Sequence, residues 1–497
     1  MKLNQLIKSI PLLNNPTSTN IEIAGVSYHS QEVTEGHLFV CIRGYKTDGH
    51  NYLADAAKRG AKVAIVEEIQ EDVAIPQFLV ENSRVALARL GAAYYDQPST
   101  KMKMIGITAT NGKTTTSYMA NAILEKEALK TGLIGTVSIK NGDTSIPSEL
   151  TTPESLDLQY FLNEMVHNDV SHVSMEVSSA ALEMYRVEAV DYDIVALNNI
   201  SQEHVDTHGS FEKYFEVKSS LIRNASENSH AVLNLDDTYS ASLVDQTQAQ
   251  VISFGINNEK GTIRCKDLDL SSGRAKFTFE ILKPFKVDDI EYQPTQFDVE
   301  LGVPGLHSVY NSMTAIIIGL LNGVSIQTIQ DAMKEFNGVP RRFEFIYEDK
   351  FKVVDDHFAN PGNINVTLQT LNFMNYNKLH VVYAIRGQRG AAINRENAEV
   401  LAGWAAELGL SEIIATKSIA HTTGKDKVTE AELDAFMDVM AEANIEVHLY
   451  DELPDAVEDS LHRAIDDDLI LLAGCQGMDY GAGVVLDKIH QADVKVK

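Results

Sequence analysis

Cysteine is scarce in this chain. Cys41, Cys265 and Cys475 lie far apart with no CxxC spacing, which excludes a disulfide framework and a zinc knuckle and leaves three reduced thiols. Long hydrophobic runs are missing too: nowhere do about eighteen apolar residues follow one another. The opening stretch, MKLNQLIKSIPLLNNPTSTN, has no basic segment leading into an apolar run and a small-residue cleavage site. The expected location is therefore the cytoplasm, with no membrane partner. Basic charge is also in deficit, with 42 Lys and Arg against 70 Asp and Glu and a net charge of −28. Such a field repels polyanions and argues against a nucleic-acid partner. Solubility is the plain meaning of the excess, and any anionic ligand must be held by local donors. Internal repeats and low-complexity segments are absent.

What is present reads as a globular protein. Apolar residues make up 44% and charged residues 23% of 497, and that length suggests about three domains, each with its own core. From Lys101 short apolar runs alternate with helical-period segments. KMKMIGIT, VSHVSMEV, DYDIVALNNI and HAVLNLD read as strands, and TTTSYMANAILEKEAL and FEKYFEVKSSLIRNA as helices. That alternation implies βαβ units and a mostly parallel sheet. Between Ile252 and Pro304 polar-apolar alternation in RAKFTFEIL and QFDVELGV suggests antiparallel strands, and helix returns with VPGLHSVYNSMTAIIIGLL. After FNGVPRRFEF a second alternating series, from FKVVDD through KLHVVYAI and EIIAT to DLILLAG, gives a doubly wound, Rossmann-like layout. The first hundred residues, with HLFVCI and AKVAIV, form a smaller α/β unit. The expected fold class is thus α/β in three domains: residues 1–99, a central phosphate-loop domain at 100–338, and a Rossmann-like domain at 339–497.

The chemistry concentrates in MIGITATNGKTTTSYM, Met104 to Met119. Gly112, Lys113 and Thr114 end a phosphate loop placed between a strand and a helix. Backbone N–H groups there can cradle phosphate oxygens, the Lys113 ammonium can meet the β/γ-phosphates, and the Thr114 hydroxyl can ligate Mg²⁺. The standard pattern begins with glycine, whereas this chain has Ile107. Glu176 closes the strand HVSMEV, where a carboxylate can face a phosphate-bound cation. A strand-end glutamate is equally compatible with solvent exposure. His204 and His208 follow another strand, in NNISQEHVDTHGSFEKYFEVK, where loop histidines are ordinarily polar filler.

The departure at Ile107 is informative, because Gly106 to Thr114, read as Gly-Ile-Thr-Ala-Thr-Asn-Gly-Lys-Thr, resembles the ATP loop of the Mur ligases. Those enzymes add amino acids to the UDP-linked precursor of peptidoglycan. MEVSS, N-x-x-x-E-H-x-D-x-H-G, Y-x-x-x-K and NLDD resemble the family's successive signatures in its order. The resemblance implies that Thr110, Asn111, Gly112, Lys113, Thr114 and Thr115 bind ATP, and that Thr114, Glu176, His204 and Lys218 hold Mg²⁺. Lys218 would be the lysine the family carbamylates; unmodified, it would be an ordinary surface residue. Lys113, Lys218 and His204 would form the catalytic set. VPRRFE resembles the domain-joining segment, so Arg342 would reach ATP phosphate; Asp356 in VVDDHFANPGN would contact ribose, and Asn311 in PGLHSVYN adenine. Ala359 stands where the family often has histidine.

SYHSQEVTEGHLFVCIRGYKTDGHNYLADAAKRGAKVAIVEE is similar to one branch, the ligases that add the third residue of the stem peptide. Ser30 and the Gly44 to His50 loop would serve the uridine nucleotide, and Thr151, Thr152, Ser178 and Arg186 the UDP-sugar peptide. The chain departs from that branch at Ala180, in EIIATKSIAHTTGKDK, where the diamino-acid motif is missing, and in GCQGMDYGAG. Arg386, Gln388, Arg389 and Arg395 can bind a carboxylate or form an exposed basic loop. The expectation is an ATP-dependent acid–amino-acid ligase, ADP-forming and acting through an acyl phosphate on small molecules, and a monomer. Two alternatives stand beside it: a similar ligase using a different carboxylate acceptor, and a nucleotide-binding regulatory protein without catalysis.

Overall fold

The structure is a computed structural model that describes residues 1–14, 20–44, 47–201, 209–271 and 274–496. The chain divides into two compact units. The first comprises Met1–Arg264, Ile281–Thr295 and Met313–Ile329, and the second Cys265–Glu280, Gln296–Ser312 and Gln330–Lys497. Among the described residues no helix is long and apolar enough to cross a membrane, and all three cysteines are free and buried.

The first unit contains two large sheets and an antiparallel pair, Phe285–Val287 with Ile290–Tyr292. Near the N-terminus Gly25–Ser27, His37–Val40, Val63–Val66 and Gln77–Leu79 pair in sequential order, all parallel. The helix Ser83–Tyr94, capped by the Asn82 side chain on the amides of Arg84 and Val85, covers one face with Ala86, Leu87 and Leu90. The larger sheet has the parallel order Thr131–Ile134, His172–Glu176, Lys103–Thr108, Ile194–Leu197, His230–Asn234, Gln250–Gly255. After Lys103–Thr108 the chain runs to one side of that strand for two strands and then to the other. Such a reversal opens a crevice at the carboxyl ends, the usual ligand position in an open α/β sheet. The strands read as unbroken apolar runs because both faces are covered. Beyond Thr131–Ile134 the sheet is extended by a hairpin, Ser138–Asn141 with Thr144–Pro147, turning through Gly142 at φ 58°; the Asn-Gly pair at 141–142 is its sequence signal.

In the second unit six strands lie in the order Glu344–Glu348, Lys352–Asp356, Leu469–Ala473, Leu379–Ala384, Glu412–Thr416, Glu446–Tyr450. The first pair is antiparallel and the others parallel. The last strand of the series inserts beside the second, which gives the doubly wound layout read from the alternation. Apolar clusters cover both faces, one around Leu368, Leu401 and Phe436 and one around Val457, Leu472 and Val485. In the same unit Arg274–Ile281 lies between Ile263–Asp269 and Thr295–Pro304, with Phe279 stacked on Phe297 at 4.9 Å.

Candidate functional site

The Lys103–Thr108 strand delivers the phosphate loop to the middle of the crevice. Ile107 is fully buried, and its carbonyl accepts the Val177 amide at 2.8 Å. The missing glycine is therefore a core position, and the loop starts only after Thr108. Gly106 is small for a different reason: an added Cβ would meet the Tyr192 ring at 2.7 Å. Gly112 adopts φ 90° at the N-terminus of the helix Lys113–Lys126, a conformation glycine reaches without cost, and no side chain caps that terminus. A helix start of this kind is where backbone amides can meet an anion.

The loop is held from the neighbouring strand end. Asn199 takes the Thr110 amide on its carbonyl at 2.9 Å. Its side chain accepts the Asn111 amide and donates to the Asn111 carbonyl, both at 2.9 Å. Asn198, fully buried, donates to Thr116 Oγ1 at 3.0 Å and accepts from Thr314 at 2.6 Å. Thr110 Oγ1 lies 3.0 Å from the Tyr214 hydroxyl and accepts the Ser201 amide at 2.9 Å. Sequence reasoning gave no role to either asparagine, although two carboxamides directly after an apolar strand are a readable signal.

Glu176 lies at the end of His172–Glu176, fully buried rather than solvated. Thr114 Oγ1 donates to its Oε2 at 2.8 Å, and Thr136 donates its amide at 2.7 Å and its hydroxyl at 3.1 Å. Gly135 makes room, since a Cβ there would overlap Glu176 Oε1. One carboxylate flanked by hydroxyls is a hard-oxygen set, which fits Mg²⁺ and not a soft metal. No cluster of three His, Cys, Asp or Glu side chains occurs among the described residues. His204 and His208 lie outside the described residues, as do residues 45 and 46 of the Gly44–His50 loop.

Lys218 is not a surface residue. The helix Phe211–Arg223 buries Tyr214, Val217, Lys218 and Leu221 on one face, and Lys218 is 2% exposed. Its Nζ donates to the Ala109 carbonyl at 2.6 Å and lies 5.3 Å from the Tyr214 ring centre. Lys113 folds back over the loop, donating to the carbonyls of Ala109 at 3.0 Å and Thr110 at 3.1 Å.

The residues assigned to the peptide substrate continue outward from Glu176. Thr136 Oγ1 lies 3.1 Å from Thr151 Oγ1. Thr152, fully buried, donates to the Glu176 carbonyl at 2.8 Å and accepts the Ser178 amide at 3.2 Å. Ser178 caps the helix Ser179–Glu183. Arg186 donates to the Thr152 carbonyl at 3.0 Å and pairs with Glu154 at 2.7 Å. Ser30 begins a 3₁₀ turn after the first strand of the N-terminal sheet, separate from this bonded set.

Asn311, Arg342 and Asp356 belong to the second unit. Asn311 is 3% exposed in the helix Leu306–Leu321. Asp356 ends its strand with both oxygens engaged, accepting the Phe343 amide at 2.8 Å and Thr367 Oγ1 at 2.5 Å; burial raises its carboxyl above the usual range. Arg341, beside Arg342, bonds Asp355 at 3.3 Å, Asp479, and the carbonyls of Gly474 and Cys475. Burial lifts Asp355 to about 7 against the pull of that guanidinium.

Comparison with known proteins agrees along the length of the chain. Residues 22–95 match the Mur ligase family catalytic domain, 107–319 the Mur ligase middle domain, and 341–476 the Mur ligase glutamate ligase domain. The UDP-N-acetylmuramoyl-L-alanyl-D-glutamate--2,6-diaminopimelate ligase of Caldanaerobacter subterraneus subsp. tengcongensis is 33% identical over 478 residues, 95% of this chain and 94% of the relative. A solved structure of a ligase with that same name superposes with a TM-score of 0.73 at 21% identity, covering 99% of this chain and 100% of the other. The MurF ligase of Thermotoga maritima in complex with ADP superposes with a TM-score of 0.62 at 20% identity, over 95% and 98% of the two chains. At these identities the two structures speak for the fold.

Proposed function

The chain belongs to the Mur ligase family and is an ATP-dependent amide-bond ligase of peptidoglycan synthesis; on that premise we propose that it adds an amino acid to a UDP-N-acetylmuramoyl dipeptide in the cytoplasm. The acceptor is taken from the relatives' names. The observation that carries the reading is the convergence of Lys113, the Thr114–Glu176 pair and the uncapped helix start on one loop. The ADP-bound relative supports ATP as the nucleotide.

In this reading the γ-phosphoryl group passes from ATP to the acceptor carboxylate, forming a P–O bond and releasing ADP. The amine of the incoming amino acid then attacks the acyl carbon, the C–O bond to phosphate breaks, and the amine proton leaves. Phosphoryl transfer asks the protein for alignment and charge compensation more than for covalent chemistry. Lys113 and the amides of Gly112 to Thr115 orient the β- and γ-phosphates, with Thr110 and Asn111 shaping the loop. Glu176 and the Thr114 hydroxyl would hold Mg²⁺, which when bound offsets phosphate charge. Thr151, Thr152, Ser178, Arg186 and Ser30 bind the UDP-sugar peptide. Asn311 and Asp356 meet adenosine, and Arg342 a phosphate. Water would destroy an acyl phosphate, so the reaction needs water excluded; the reading takes three domains, at about 1–99, 100–338 and 339–497, boundaries that the three family matches support.

The test is phosphate release with candidate UDP-linked acceptors across a panel of amino acids. The reading requires release only when acceptor and amino acid are both present. Equal release with neither would identify a plain ATPase.

A further inference from the structure

Between the metal carboxylate and the acceptor residues stands Thr136, which no sequence motif singled out. It follows the strand Thr131–Ile134 and leads into the hairpin of Ser138–Asn141 with Thr144–Pro147. Its amide donates to Glu176 Oε1 at 2.7 Å. On either side of it the Gly135 amide donates to the Ser138 carbonyl at 3.2 Å and the Ser148 amide to the Val137 carbonyl at 3.3 Å. The hairpin is tied in turn to the phosphate-loop helix: Ser138 Oγ lies 3.0 Å from the Tyr118 hydroxyl, and Lys140 pairs with Glu125. The backbone next to Thr151 is fixed as well. Thr152 Oγ1 donates to the Glu176 carbonyl at 2.8 Å, and the Arg186 guanidinium donates to the Thr152 carbonyl at 3.0 Å. With both backbones pinned, the freedom left at this junction is the rotation of hydroxyl protons.

Those hydroxyls form a directed chain. A threonine hydroxyl carries one proton and two lone pairs. Thr136 Oγ1 gives its proton to Glu176 Oε2 at 3.1 Å, so across the 3.1 Å contact between Thr136 Oγ1 and Thr151 Oγ1 it is Thr151 that donates. Thr114 gives its proton to the same Oε2 at 2.8 Å, and both hydroxyl bonds therefore fall on an oxygen that a cation would also use. Mg²⁺ held there shares the carboxylate's charge and weakens it as a hydrogen-bond acceptor. The Thr136 proton then gains by turning to Thr151 Oγ1, which frees the Thr151 proton for an oxygen of the substrate. Thr152 has no such freedom, because it is fully buried and its proton is spent on the Glu176 carbonyl. Thr136 is exposed and Thr151 half-buried, so a ligand reaches the pair.

We propose that Thr136 is a positioning residue whose hydroxyl relays the state of Glu176 to Thr151, so that Thr151 turns its proton to the acceptor when Glu176 holds Mg²⁺. This deepens the ligase reading and rests on it. The experiment is calorimetry on the full-length protein: UDP-N-acetylmuramoyl dipeptide is titrated in the presence of a non-hydrolysable ATP analogue, once with magnesium and once with EDTA. Wild type should bind the dipeptide more tightly with magnesium. Thr136→Val keeps the shape and the amide bond to Glu176, and should shrink that magnesium ratio about three- to tenfold, the worth of about one hydrogen bond. Thr136→Ser should hold the ratio within about twofold of wild type. Thr151→Val should shrink it as Thr136→Val does, and the double variant should go no further, since the two hydroxyls act as one path. A merely structural role would weaken dipeptide binding equally in both buffers and leave the ratio alone. Circular dichroism checks folding, and if Thr136→Val does not fold, Thr151→Val carries the same outcome. A folded Thr136→Val whose ratio stays within about twofold of wild type overturns the inference and leaves the ligase reading intact, as does a wild type indifferent to magnesium. A wild type that binds the analogue but no dipeptide in either buffer overturns the acceptor in the ligase reading, and the relay with it.

Discussion

Lys113 and Lys218 direct their ammonium groups at the same acceptor, the carbonyl oxygen of Ala109, at 3.0 and 2.6 Å. One comes from the helix that follows the loop and the other from a helix about a hundred residues later. Two cations on one peptide oxygen repel each other in a poorly solvated place. Whatever joins them is favoured if it carries negative charge, as a triphosphate does.

Lys113→Ala should therefore abolish ADP formation, lowering kcat by about 10²–10³-fold, the usual loss for one preorganised donor to transferring charge. Lys113 is partly exposed, so the fold should persist. Coupled-assay turnover and far-UV circular dichroism check the two halves, and full turnover would reject the assigned loop.

Carbamylation of Lys218 would turn the like-charge pair into an attractive one. Protein prepared in ¹³C-bicarbonate should give a carbamate carbon resonance that Lys218→Arg lacks. The same spectrum in both would exclude that site.

Gly135→Ala should cripple the site without removing a polar group. The new methyl would overlap Glu176 Oε1, displacing the carboxylate from Thr114 and Thr136. Overpacking of this kind costs about 1–3 kcal/mol, so a lower melting temperature and about tenfold weaker magnesium-dependent ATP binding are expected. Gly403→Ala, at the end of the helix Ala391–Gly403 with open space around it, is the control and should be neutral or stabilising by up to about 1 kcal/mol.

Acid stability should report on Glu432. Burial works against its ionisation, but hydrogen bonds from Thr429, Gly390 and Arg389 win, and its carboxyl falls from 4.5 to about 2. A depressed folded-state value means stability that is complete above 4.5 and lost as pH drops from there toward 2. The amount is up to about 3 kcal/mol. Urea unfolding between pH 6 and pH 3 should show a steeper loss in wild type than in Glu432→Gln; parallel curves would contradict those hydrogen bonds.

Much of the fold was legible because its strands are covered on both faces and so appear as apolar runs. Lys103–Thr108, Ile194–Leu197 and Leu469–Ala473 are examples. Thr131–Ile134 and its hairpin were less visible, one short and the other nearly all polar, although Asn141-Gly142 marked the turn. Lys218 illustrates a subtler failure. Its charge suggested solvent, yet Tyr214, Val217 and Leu221 at helical spacing put it on the buried face, and periodicity outweighed residue type.

The chain by itself determined the phosphate loop, the order of family signatures and the α/β class, because these depend on residues close in sequence and on local periodicity. Only tertiary structure decided that Ile107 is core, that Asn199 and Thr136 hold the loop and the glutamate, and that Glu432 holds the Arg389 amide. Each of those facts is a contact between segments about 40 to 90 residues apart. Such contacts follow from which strand ends meet at a sheet edge, and that is settled by packing the whole chain at once.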